Sequence, residues 1–366
     1  MKRPLGTCLV VLTALASQLI ATSALGTQYP YLDPSYTQEI YAGPGVDAGM
    51  AWTSGNNLLT RNGSTIREYS LTQNTSHQGT PLHGVIATHN ITGLNNSGTG
   101  MTNGLDGYIY AVTSLGLQRF DPSNWAAPAQ TLAGTAGGVY GITTLSDGKI
   151  AYTDSAANSN VYVYDPVGGT NTLIYTSNAL VDGMVSGPSG NLAITGQTNS
   201  TITILTAAGS VVNSFATTHF PDGLAFSANA TSATLYSNNN DGTISKYVLG
   251  PGYTGLPVIT DIATGSGAYG DLASVGPDCA FYVSQFENGS YHGATPGVGT
   301  NWDNAVTNAE SSIIRIGGIV GPDGSIVGCE FYSPLHDVPE PSTIVMLVIG
   351  MAGLGFAGSR RRRAVK

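Results

Sequence analysis

The residues best placed to do chemistry in this 366-residue chain are carboxylates that stand just before glycines. Asp182-Gly183 and Asp222-Gly223 are the clearest cases. Asp47 in "VDAGMAW" and Asp271 in "YGDLAS" are near-copies, and His83, Tyr140 and Tyr269 occupy related positions. If the segments that carry them converge, three or four carboxylates and a histidine face one point. Charges of one sign at that density repel unless protons or a cation intervene. A hard divalent cation such as Ca²⁺, which takes six to eight oxygen ligands, is the natural partner. The alternative is structural: each aspartate caps the turn entering its strand by accepting backbone N–H bonds. Other catalytic signatures are missing, since the chain has no GxSxG, HExxH or CxxC motif and no phosphate-binding glycine loop. His77, His89, His219, His292 and His336 fall in polar turns or loops, where solvation is the expectation.

What must position the carboxylates is a repeat. "VYGITTLSDGKIAYTDSAANSNVYVYDP" from Val139, "VDGMVSGPSGNLAITGQTNSTITILTAAG" from Val181 and "PDGLAFSANATSATLYSNNNDGTISKYVL" from Pro221 share one plan. A glycine is followed by a short apolar strand, a polar turn, an alternating strand, a second turn and a third strand. The anchoring glycines Gly141, Gly183 and Gly223 stand 42 and 40 residues apart. Weaker copies start at Val46, at Leu82 (with an insertion over Thr92–Asn103) and at Tyr269, making about six units. Period-2 strands joined by Asp-Gly and Asn-Gly turns are hairpin signals. Units of about 40 residues, each a small antiparallel sheet, predict a β-propeller of about six four-stranded blades. A closed ring also removes most exposed sheet edges. Each anchoring glycine suits an inner strand where the blades converge and side-chain space is scarce. Ring closure is expected from Tyr36–Gly43, "YTQEIYAG", as an outer strand on the blade that ends in "GSIVGCEFYSPL". Gly289–Ala309 reads as a long polar loop within that last blade.

Both ends of the chain differ from the body. Residues 1–26 have the parts of a secretory signal peptide: Lys2 and Arg3, an apolar Leu9–Leu15, and small residues at Ala21–Ala24, with cleavage after Ala24 or Gly26. Residues 337–366 hold Pro339-Glu340-Pro341, an uncharged apolar run over Thr343–Ala357, and Arg360, Arg361, Arg362 and Arg363. A bilayer core needs about 20 helical residues, with a floor of roughly 17. The run meets that floor by including Ser342 and Gly358, and the arginine cluster is what the cytoplasmic side of a membrane helix carries. Between the two ends, residues 27–336 form the propeller body. Seven of the 13 Lys and Arg lie in the end segments, so the body keeps six basic residues and is strongly acidic. Nucleic acid is excluded as a partner, because phosphate binding needs clustered cations. Cys279 and Cys329, the body's two cysteines, either form a disulfide in an oxidising compartment or remain two buried thiols.

Two resemblances follow from these residues. Pro339-Glu340-Pro341, one apolar span and a terminal arginine cluster, in that order, resemble the PEP-CTERM sorting signal of Gram-negative bacteria. That resemblance implies a transient inner-membrane anchor, recognition and cutting by an exosortase, and delivery to the cell surface or an exopolysaccharide-rich matrix. Exopolysaccharide or surface proteins would be the lasting partners. "PDGLAFSANATSATLYSNNNDGTISKY" resembles a blade of the gluconolactonase/regucalcin propellers and of NHL-repeat proteins. This second resemblance implies a divalent metal at the channel mouth and an aspartate general base acting on a lactone or ester. Asp182 and Asp222 match the family's position, and Asp47 falls near its metal-binding glutamate. The blade from Tyr269 departs, moving its carboxylate to Asp271, and His83 and Tyr140 replace expected ligands. That scrambling favours a binding protein over a metal-dependent lactonase or esterase.

Overall fold

The computed structural model describes residues 29, 31–43, 49–77, 80–134, 140–154, 157–187, 190–228, 233–264, 269–286 and 312–319. Asp47, Cys329, the loop over Gly289–Ala309 and both end segments lie outside the described residues. Two strands open the described chain, β1 (Tyr31–Leu32) and β2 (Thr37–Ala42). Blade 1 is β3 (Gly49–Trp52), β4 (Leu58–Asn62), β5 (Thr65–Tyr69) and β8 (Val85–Asn90), with a hairpin of β6 (Thr75–His77) and β7 (Thr80–Leu82) inserted before its last strand. Blade 2 is β9 (Met101–Asn103), β10 (Ile109–Thr113), β11 (Gly116–Phe120) and β12 (Gln130–Ala133). Blade 3 is β13 (Ile142–Thr144), β14 (Ile150–Thr153), β15 (Asn160–Asp165) and β16 (Thr170–Thr176). Blade 4 is β17 (Met184–Ser186), β18 (Leu192–Gly196), β19 (Thr201–Leu205) and β20 (Val211–Ala216). Blade 5 is β21 (Pro221–Ala228), β22 (Ala233–Asn239), β23 (Ile244–Leu249) and β24 (Val258–Thr264), widened by β1 on its outer edge. Blade 6 is β25 (Tyr269–Val275), β26 (Phe281–Phe286) and β27 (Ser312–Gly317), completed by β2. No α-helix occurs among the described residues.

Every pairing within the blades is antiparallel, as strands joined by tight turns require. The Asp-Gly turns do their expected work: Gly107 and Gly148 sit at φ 85° and 84°, conformations that L side chains resist. Apolar faces of neighbouring blades meet in six larger clusters, one per seam. Val185, Ile202 and Phe215 of blade 4 pack on Phe226, Leu235 and Tyr247 of blade 5, for example. Ala51, Leu59 and Ile66 of blade 1 pack on Ile109, Ala111 and Phe120 of blade 2. Each large buried side chain contributes about 1.5–3 kcal/mol, so the seams carry the stability and the ring has no single core.

The chain closes the ring with its N-terminal strand. β2 is the outermost strand of blade 6 and pairs antiparallel with β27, Thr37 opposite Gly317. The expected closing segment is therefore the right one, and its partner is Ser312–Gly317. "GSIVGCEFYSPL" lies outside the described residues. The fifth strand on blade 5 has no counterpart in the sequence pattern. Tyr29, buried just before it, holds it down: its N–H donates to Gln38 Oε1 at 2.8 Å and its hydroxyl accepts from Gln285 Nε2 at 2.5 Å.

One register expectation is overturned. The unit that starts at Leu82 does not provide an inner strand. Val85–Asn90 is the outer strand of blade 1, and the inner strand of blade 2 lies inside the supposed insertion, at Met101–Asn103. Gly100, not Gly84, is the glycine that meets a neighbouring blade's backbone.

Candidate functional site: the channel and its carboxylates

The inner strands β3, β9, β13, β17, β21 and β25 converge, and their glycines make this possible. A Cβ on Gly141 would lie 2.9 Å from the Asp182 carbonyl oxygen. One on Gly49, Gly100 or Gly183 would collide with the carbonyl of Thr99, Tyr140 or Asp222 in the next blade. Each blade then places one apolar side chain at the axis: Met50, Met101, Ile142, Met184 and Leu224 directly follow their glycines, and Leu272 follows Gly270 across Asp271. Together they surround a cavity of about 20 Å³, room for one or two waters. Beyond this ring the cavity widens to about 60 Å³ between Asn103, Thr144, Ser186 and Val275. The channel thus narrows at an apolar collar beside the tier where the carboxylates stand.

Asp182 and Asp222 enter from consecutive blades and are both buried, at 7 % and 2 % exposure. Asp182 lines the collar cavity beside half-buried Tyr140. Asp222 is seated between two amides. Gln197, from the short 3₁₀ turn after β18, donates to its Oδ2 at 3.0 Å. With the Asn240 amide turned to match its surroundings, Asn240 Nδ2 also donates to Asp222 Oδ2 at 2.9 Å and to the Gly270 carbonyl at 2.6 Å. Asp222 Oδ1 is buried with no hydrogen-bond partner among the described residues. Burial pushes the Asp222 carboxyl well above the usual carboxylate range, and the neighbouring carboxylates of Asp182 and Asp271 push the same way. The Gln197 hydrogen bond pulls in the other direction and is the weaker effect.

Asp271 is half-buried on β25, where the register shifts between Gly270 and Ala273. Its carbonyl accepts from Asn238 Nδ2 at 2.8 Å. Three of the four sequence-predicted carboxylates are therefore neighbours electrostatically, and Asp47 lies outside the described residues. Among the described residues no group of three or more His, Cys, Asp or Glu side chains is arranged to hold a metal ion. Cys279 is disulfide-bonded, while Cys329 is outside the described residues.

His83 is not a channel residue. Its backbone N–H donates to the Tyr41 carbonyl at 2.9 Å, and its ring stacks on Tyr41 with centroids 3.8 Å apart, at the seam between blades 6 and 1. Its place before Gly84 imitated an inner-strand start because the true one is hidden in polar sequence. Sequence reasoning also missed His219, whose Nδ1 contacts Asp241 Oδ2 while Nε2 meets Asp261 Oδ2 at 3.1 Å. Burial opposes the charge on His219, but hydrogen bonds to Asp241 and Asp261 outweigh it and raise its pKa. His89 likewise pairs with Glu68 at 3.1 Å and stacks on Trp125 at 3.8 Å. No feature of the repeat marked either histidine, since their partners sit on other strands.

Comparison with known proteins addresses the end of the chain directly. Residues 337–363 match the model of the PEP-CTERM protein-sorting motif. The chain carries a PEP-CTERM sorting signal. Such a signal implies export, membrane-anchored sorting by an exosortase and an extracellular destination. The propeller body is similar to solved structures in fold. One, from Thermus thermophilus, is described as an oxidoreductase of glucose dehydrogenase type, at 13 % identity and TM-score 0.53, covering 77 % of this chain and 99 % of that one. Another is a streptogramin B lyase, at 13 % identity and TM-score 0.50, covering 77 % of this chain and 97 % of that one. At this identity the likeness is one of propeller fold alone. None of the curated proteins matches the chain in sequence.

Proposed function

We propose that this PEP-CTERM propeller is a binding protein of the cell surface or exopolysaccharide matrix, not a catalyst. The observation that carries the reading is the pairing of the sorting motif at 337–363 with a ring whose described axial channel narrows to about 20 Å³ at its apolar collar. Ligand and substrate sites commonly enclose about 300–1,000 Å³, so the described collar is far narrower than such a site. A propeller instead offers several outward faces, each braced by a packed seam, for a large extracellular partner. The test is retention. The full chain, expressed in a host with an active exosortase, should remain with the extracted exopolysaccharide or cell-surface fraction after washing. Free release into the medium would overturn the reading.

A second reading keeps the channel as a metal-dependent lactonase or esterase site. Asp182 or Asp222 would act as base, and Asp47, Asp182, Asp222 and Asp271 would be the candidate ligands for Ca²⁺ or another divalent cation. The raised Asp222 pKa beside Asp182 favours it, because perturbed carboxyls gather at functional sites. Metal analysis of the purified protein, with lactone hydrolysis measured with and without chelator, separates the two readings. Hydrolysis that chelator and Asp222→Ala both abolish would establish the second.

A further inference from the structure

A second cleft lies away from the axis, at the seam where β2 closes the ring between blades 6 and 1. It encloses about 690 Å³, inside the range of small-molecule sites, and every residue lining it is described. Its wall on blade 6 is a cross-strand ladder. Glu39 of β2 stands directly opposite Arg315 of β27, and Arg315 directly opposite Tyr282 of β26. Directly opposed residues share one face of the sheet, so an acid, a guanidinium and a phenol line up across the blade. β2 is bulged at Tyr41, which has no partner on β27, and bulges recur beside binding and active sites, where they re-aim a side chain.

The polar groups are held before any ligand arrives. Glu39 Oε1 accepts from Gln73 Nε2 at 2.8 Å and meets His83 Nε2 at 3.1 Å. Asp278 Oδ2 accepts from Arg315 Nε at 2.6 Å and from the Tyr282 hydroxyl at 3.2 Å. A carboxylate accepts at both of its oxygens and a guanidinium carries several N–H donors, so Glu39 and Arg315 keep bonding capacity beyond these contacts. Beneath them Trp52 packs edge-on against Tyr282 at 4.6 Å, and Tyr282 against Tyr41 at 5.2 Å. Burial, then Asp278 and Glu39, push the Tyr41 phenol up to about 12, so the floor stays neutral. Leu71, 51 % exposed, forms an apolar wall at the rim.

Polar groups fixed beside an exposed apolar rim are what a sugar ring requires: carboxylate, guanidinium and amide for vicinal hydroxyls, and the Leu71 side chain as carbon surface for a ring face. Trp52, Tyr41 and Tyr282 are buried beneath and brace the wall. Two carboxylates against one guanidinium disfavour an acidic sugar. A peptide strand is disfavoured too, because the β2 edge is already occupied where the Tyr41 carbonyl accepts the His83 N–H. We propose that the seam cleft binds neutral pyranose units of an extracellular polysaccharide, with Glu39, Gln73 and Arg315 recognising hydroxyls and Leu71 covering a ring face. The site deepens the binding reading above and rests on it.

The test titrates the full chain, purified after export, with cellotriose, maltotriose and chitotriose, using trigalacturonate as the acidic control. Binding of at least one neutral trisaccharide is expected. Glu39→Gln and Arg315→Lys, which preserve size, should each weaken it by about tenfold or more, the equivalent of about 1.4 kcal/mol. Leu71→Ala, at a half-exposed site that the fold does not need, should weaken it severalfold. Val167→Ala, at an almost fully exposed turn of blade 3, should leave it within about twofold, because that turn is separate from the cleft. Absence of binding by all three neutral sugars, a preference for trigalacturonate, or affinity indifferent to the Glu39, Arg315 and Leu71 variants would each overturn the site. Retention on extracted exopolysaccharide that survives all three variants would reject the cleft while leaving the binding reading standing. Loss of retention by unmodified protein would reject both.

Discussion

The axial channel and the seam cleft are built on opposite principles. The channel is made by repetition: five glycines packed on the next blade, six apolar side chains and carboxylates arriving from successive blades. Equivalence brings like groups together, so the channel concentrates charge it must then suppress, and it does so by burying Asp222 and raising its pKa. The cleft is made by difference. Its walls come from β2, the β3–β4 and β25–β26 turns and the segment after β5, and its charges are of both signs and paired. Repetition gives this propeller its shape, and departure from repetition gives it chemically varied surface.

The sharpest way to separate the two regions is steric. Gly183→Ala should be the most damaging single change, because the added methyl collides with the Asp222 carbonyl of the next blade. A loss of more than about 4 kcal/mol is expected, seen in denaturant unfolding or as failure to accumulate folded protein. Leu71→Ala in the cleft should leave stability within about 0.5 kcal/mol, as for surface positions generally.

Acidity probes the channel next. Asp222 has a folded pKa above its unfolded value, so the folded state favours its neutral form. Stability should therefore fall as pH rises above the unfolded carboxylate value of about 3.9, and should stop falling once pH passes the folded value. Asp222→Asn removes that loss. Urea unfolding should find the variant about 1–3 kcal/mol more stable than the parent at pH 8, the scale of one unsatisfied buried polar group. At pH 4 the two should nearly coincide. A parent whose stability is flat between pH 4 and 8 would show that Asp222 is not held neutral.

His219 supplies the smaller contrast, a carboxylate pair at the surface relieved by a cation instead of by protons. Its folded pKa is raised, so its contribution is fully present below the unfolded value of about 6.5 and is lost as pH rises through the folded value. Asp241 and Asp261 are 40 % and 36 % exposed, and solvent screening holds the effect of His219→Gln below about 1 kcal/mol. Thermal unfolding at pH 5.5 and pH 9 should show the variant's deficit at the lower pH only.

Sequence legibility followed the same divide. The spacing of Gly141, Gly183 and Gly223 exposed the ring, its blade size and the level at which Asp182 and Asp222 meet. Tyr36–Gly43 was legible as the closing strand from its alternation. Blade 2 was misregistered because His83-Gly84 imitates an inner-strand start, while the true start, Gly100-Met101, is embedded in a Gly-, Asn- and Thr-rich stretch with almost no apolar signal. The cleft was not legible at all. Glu39 and Arg315 are far apart in the chain and become neighbours only when β2 pairs with β27, a contact set by ring closure and by no local pattern.

The most direct measurement is a diffraction experiment on the exported protein soaked with a neutral trisaccharide and a calcium salt together. Sugar should be seated between Glu39, Leu71 and Arg315, with none at the axis. Sugar bound over calcium at Asp182 and Asp222, with the seam cleft empty, would be the contrary result.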